Sequence, residues 1–189
     1  MGRLVASARR AGRDVTGYNL GIRGDTSAGV AARWRGEASL RLDPEHDGRL
    51  VFSFGANDCA PNAPHAGPRL VPADSLRHAE GILVHAHRWL PTLMIGPGPI
   101  AGHDAANARI RELSAAYAAL CERIGVPYLG ICGSLLSSAT WNEEATAGDG
   151  VHPNAGGYGL VADAIWAWGA WQSWFAPPPL SARPGAPQP

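Results

Sequence analysis

Three short stretches of this chain carry residue types that could do acyl-transfer chemistry. The first is "DGVH", where Asp149 precedes His152 by three residues in a loop before a helical segment. A histidine base needs a carboxylate on its second ring nitrogen, to fix the tautomer and to stabilise the imidazolium that forms. The second is "GAND" (55–58), where Asn57 follows a buried apolar run. A side-chain amide at a strand end can donate to a developing oxyanion. The third is "NLGIRGDTS" (19–27), where the Gly24 N–H, between a strand and a helix, could be a second such donor. Each also has a plain structural reading. Asp149 and His152 could be loop polar groups, Asn57 an Asx-turn that ends its strand, and Asp25 or Thr26 an N-cap.

The elements that must position these residues alternate between helix and strand. Leu4, Val5, Ala8 and Ala11 predict a helix over 2–11, with Gly12 as its C-cap. "DVTGYNL" (14–20) reads as a short strand. Val30, Trp34, Ala38 and Leu42 predict a helix over 26–42. "RLVFSFG" (49–55) reads as a strand covered on both faces, and the Pro-rich stretch 60–72 as a loop. A helix over 74–89, a strand over 92–98 and a strongly periodic helix over 110–124 follow. "VPYLGI" (126–131) is the fourth strand, and a loop then runs to Pro153. Asn154 is placed to cap a last helix reaching about Trp174. This alternation implies an α/β three-layer fold with a parallel sheet, whose ligands bind at the carboxyl ends of the strands. Residues 1–175 form one domain, and the Pro-rich 176–189 reads as a disordered tail.

Composition narrows the function classes. Sixteen basic residues balance sixteen acidic ones over 189 residues, so charge gives no reason to expect nucleic acid or an anionic membrane. All sixteen basic residues are Arg, which excludes a P-loop lysine, a Schiff-base lysine and a Ser–Lys dyad. Cys59, Cys121 and Cys132 lack zinc spacing and read as reduced, buried thiols. No apolar run reaches membrane-span length and no signal-peptide pattern opens the chain, so the expected location is cytoplasmic. "GPGPIAG" (96–102) has the wrong glycine spacing for a dinucleotide loop, and His85 and His87, two apart on a helix, do not face one another. Trp166, Trp168, Trp171 and Trp174 read as packing of the last helix, with a binding groove as the alternative.

Taken together, the three stretches resemble the GDSL, or SGNH, esterase/lipase family. "NLGIRGDTS" looks like that family's second block, "GAND" its third and "DGVH" its last, in the family's order. The resemblance implies a flavodoxin-like parallel sheet and ester hydrolysis through an acyl-enzyme, with no metal or cofactor and a small ester as substrate. It assigns His152 as base, Asp149 as its orienting carboxylate, and Gly24 and Asn57 as oxyanion donors. It also implies that Gly24-Asp25-Thr26-Ser27 is not the nucleophile block, which would lie upstream with the family's first strand. The expectation is therefore a sheet lacking that strand and a chain holding no nucleophile. Thr26 or Ser27 as substitute nucleophile, and Cys59 as a reactive thiol, are the alternatives within the chain. A non-catalytic relic binding a ligand in the crevice, and an acyltransferase, are the alternatives for the whole.

Overall fold

A computed structural model of the protein describes residues 1–62 and 65–175. The chain opens with α1 (Gly2–Arg10) and α2 (Ser27–Ser39), then β1 (Leu50–Ser53) and the single turn α3 (Ala56–Cys59). A two-stranded hairpin of β2 (Pro61–Asn62) and β3 (His65–Pro68) leads to α4 (Pro72–Trp89), β4 (Thr92–Ile95), α5 (Asp104–Ile124) and β5 (Tyr128–Leu129). The C-terminal half closes with α6 (Cys132–Leu136), α7 (Ala139–Thr146), α8 (Ala155–Ala167) and α9 (Gly169–Ser173).

The main sheet is parallel, in the order β1-β4-β5. Leu50 pairs with Thr92, Ser53 with Ile95, and Ile95 in turn with Leu129. Side chains alternate between the two faces. Leu50, Phe52 and Met94 join Trp34 of α2, Ile82 and Leu83 of α4, and Ile110 and Tyr117 of α5 in one core. Leu93 and Ile95 join Leu4 of α1, Trp141 of α7, Ile165 of α8 and Trp171 of α9 in the other. The three-layer α/β reading is thus realised, with a buried helical layer on each face.

Four local expectations change. Residues 14–20 form no strand; among the described residues they join no ladder, and only Val15 and Leu20 are partly shielded. A strand of this length needs a paired neighbour, and the edge of β1 away from β4 carries no strand among the described residues. The Pro-rich 60–72 is not all loop. Pro61 pairs with Pro68 and Asn62 with His65, a placement proline tolerates because each strand has only one partner. The stretch before Pro153 holds α6 and α7, nucleated by buried Leu135, Trp141 and Ala145, with Ser138 capping α7 by accepting the Trp141 N–H. The last helix is broken at Trp168, whose backbone is extended between α8 and α9. The tail 176–189 lies outside the described residues.

The cap of α8 is also different from expectation. Asn154 occupies the N-cap position without a side-chain bond. The Glu144 carboxylate of α7 instead accepts the N–H groups of Gly156 (3.1 Å) and Gly157 (2.7 Å). An anion on the free N–H groups of a helix start is stabilising. We expect Glu144→Ala to cost about 1 kcal/mol in urea unfolding, with Asn154→Ala near neutral. Equal losses from the two would contradict this assignment of the cap.

The Trp residues of the C-terminal helices serve packing. Trp171 is buried in the second core, and Trp166, Trp168 and Trp174 pack against it.

Candidate active site

The site lies where three loops meet beyond the carboxyl ends of the strands. Asn57 arrives on α3, directly after β1. Gly55 makes that turn with φ 113°. An added Cβ there would stand 3.1 Å from the Tyr117 ring and 3.2 Å from Leu113, so both backbone conformation and space call for glycine. From α3 the Asn57 Nδ2 donates to the Asp25 carbonyl at 2.8 Å. One amide hydrogen is thereby used and the other is left to donate.

Gly24 sits in the turn before α2, with φ 75°. Its carbonyl accepts from Arg69 Nη1 at 2.8 Å, while its N–H meets no acceptor among the described residues. Thr26 is the N-cap of α2 and accepts from the Gly29 N–H. The Asp25 carboxylate turns away to an ion pair with Arg33 at 2.7 Å, and Arg33 also donates to the Leu20 carbonyl. The loop is therefore fixed from three sides, by Arg33, Arg69 and Asn57.

Asp149 and His152 form the expected pair. Asp149 Oδ2 lies 2.7 Å from His152 Nδ1. Asp149 Oδ1 accepts the backbone N–H groups of Val151 (3.0 Å) and His152 (2.8 Å), an Asx-turn that presets the carboxylate for the ring. The local turn is the device that builds the hydrogen-bonded pair. The side-chain bond from His152, then the backbone N–H groups of His152 and Val151, hold the Asp149 carboxyl well below the ordinary carboxylate range. A group depressed in this way supports the fold above its ordinary pKa and loses that support on acidification. Asp149 is therefore ionised throughout the neutral range. The loop is braced from β4's side by Ala101 N–H donating to the Gly150 carbonyl at 2.7 Å.

The three loops are joined in space. Arg23, directly before Gly24, donates from Nη2 to Asp149 Oδ2 at 3.0 Å. With the Asn57–Asp25 bond, this brings Gly24, Asn57, Asp149 and His152 into one connected cluster. The His152 side chain is half exposed, so its outer face is open to a substrate. The cavity of about 180 Å³ lined by Cys59, Leu70, Ser75, Leu76, Arg109 and Leu113 lies elsewhere, behind α3, and does not include His152.

The internal nucleophile alternatives fare poorly. Ser27 is fully buried; its N–H donates to Asp58 Oδ1 at 2.8 Å, and its Oγ lies 3.2 Å from His78 Nδ1. It is hydrogen-bonded to His78, not to His152, and closed to solvent. Thr26 is occupied as a cap. Burial, reinforced by the Asp58 charge, pushes the Cys59 thiol up to about 11, which leaves it un-ionised and unreactive at neutral pH.

Sequence reasoning missed Arg23, Arg33, Arg69, Asp58 and His78. Asp58 stood inside the quoted "GAND" and carries its own signal: a carboxylate that reaches the start of α2 from α3. The arginines gave none, because their partners lie far away in sequence. His85 Nδ1 lies 2.7 Å from the Gly81 carbonyl, within its own helix. No metal-holding group of His, Cys, Asp or Glu occurs among the described residues. No helix there is long and apolar enough to cross a membrane.

Comparison with known proteins identifies the family and the fold. The model of the GDSL-like lipase/acylhydrolase family matches residues 1–160. No curated protein matches the chain. A lipase/acylhydrolase from Enterococcus faecalis superposes with a TM-score of 0.69 at 21% identity, over 86% of this chain and 80% of its own. An α/β hydrolase enzyme from the metagenome of Lake Arreo, Spain, gives 0.69 at 20% identity, over 90% of this chain and 80% of its own. An acetylxylan esterase from Geobacillus stearothermophilus gives 0.67 at 16% identity, over 86% and 77%. At these identities the likeness speaks for the fold.

Proposed function

The chain belongs to the GDSL-like lipase/acylhydrolase family, and from that premise we propose that its crevice hydrolyses a small carboxylic ester through an acyl-enzyme. In this reading His152 Nε2 takes the proton of a serine hydroxyl as the serine oxygen bonds to the ester carbonyl carbon. The Gly24 N–H and the free Asn57 N–H hold the oxyanion. As the tetrahedral intermediate collapses, the alcohol leaves with the proton from His152. Water then attacks the acyl-enzyme with His152 again as base, releasing the acid and the serine. Asp149 keeps Nδ1 protonated throughout and offsets the imidazolium charge. No step calls for a metal or a cofactor.

The observation that carries this reading is the joined geometry: a 2.7 Å Asp149–His152 pair tied to the Gly24 loop, which is tied in turn to Asn57. Among the described residues, Ser27 does not supply that hydroxyl, since it is buried against His78. That same observation favours a second reading, a ligand-binding crevice without turnover. The two are separated by an N-terminal extension of the chain with an apolar strand ending in Gly-Asp-Ser, placed to fill the free edge of β1. The hydrolase reading expects saturable turnover of p-nitrophenyl acetate that depends on the added serine. A folded extended form without such turnover supports the binding reading.

A further inference from the structure

Asp149 Oδ2 serves two donors. His152 Nδ1 lies 2.7 Å from it and Arg23 Nη2 3.0 Å from it. Arg23 is largely exposed, its side chain at 80%, so desolvation does not explain the contact. Position does. Arg23 precedes the proposed oxyanion glycine, and among the hydrogen bonds of the described residues it alone links the Gly24 loop to the histidine loop. The other ties of Gly24 and Asp25 run to Arg69, Asn57 and Arg33, on β1's and α2's side of the crevice. The other ties of the histidine loop run to Ala101 and to Ala145 of α7.

We propose that Arg23 is a positioning residue, whose ion pair with Asp149 sets the spacing between the Gly24 N–H and the His152 ring. This rests on the reading of His152 as base and Gly24 as oxyanion donor. With both donors on Asp149 Oδ2, losing the guanidinium frees the carboxylate and its histidine to move relative to the Gly24 loop.

The test is NMR on the 189-residue chain at one neutral pH, following the His152 ring signals and the Val151 amide, both far from position 23 in sequence. Arg23→Gln is expected to shift both, with the amides of β4 unmoved. Arg23→Lys should restore most of the parent positions. In an Asp149→Asn background, Arg23→Gln should add nothing to either signal. Unmoved His152 ring signals or an unmoved Val151 amide in Arg23→Gln overturns the clamp, as does the same shift in the Asp149→Asn background. These readouts need no turnover. An inert extended enzyme would count against the hydrolase reading and leave the clamp standing.

Discussion

Replacing His152 by alanine in the serine-extended form is expected to lower kcat for p-nitrophenyl esters by about 10⁴-fold or more. Members of a nucleophile–base–carboxylate set act as a unit, so losing the base leaves only oxyanion stabilisation and binding, roughly 10³–10⁴-fold over water in well-studied serine hydrolases. The fold should lose little by the change, since both residues of the pair are exposed. His152 is half exposed, and its imidazole makes a single side-chain bond, to an Asp149 that the backbone already holds. Equal unfolding midpoints with turnover lost would mark His152 as chemical rather than structural. Turnover within tenfold of the parent would remove it from the mechanism. Asp149→Asn should be severe as well, since an amide in place of the carboxylate favours the wrong tautomer.

Asn57→Ala is the second large effect expected, about 10²–10³-fold in kcat. Asn57 has two jobs that the measurement must separate. One N–H holds the Asp25 carbonyl, and its loss costs about 1 kcal/mol of stability. In the proposed mechanism the other N–H meets the oxyanion, and its loss raises the barrier by about 3–4 kcal/mol. A purely structural Asn57 would lower the unfolding midpoint and leave kcat within a few-fold. An oxyanion donor lowers kcat far more than its stability loss predicts, with KM little changed.

The parts of this site legible in the sequence were those whose geometry is local. Asp149 and His152 are three apart, and one Asx-turn converts that spacing into a hydrogen bond. Asn57 is fixed by a strand that ends and a glycine that turns. The parts that were not legible depend on chain ends meeting from afar. Arg23 finds Asp149 across 126 positions, and Arg69 finds Gly24 across 45. Nothing in an arginine's neighbours forecasts such a partner. The same limit explains residues 14–20. Their composition suits a strand, yet a strand is defined by its neighbour, and no ladder partner stands beside them among the described residues. The cap of α8 was misplaced for a related reason. Asn154 stands at the right position, while Glu144, on another helix, supplies the bonds.

Treatment with a fluorophosphonate probe, read by intact-protein and peptide mass spectrometry, separates an esterase site built on Gly24, Asn57, Asp149 and His152 from one built on Ser27. The first arrangement gives no adduct on the 189-residue chain and one adduct on the serine-extended form, mapped to the added serine and lost in His152→Ala. An adduct on Ser27 of the 189-residue chain, abolished by Ser27→Ala, would place the nucleophile there and overturn the first arrangement.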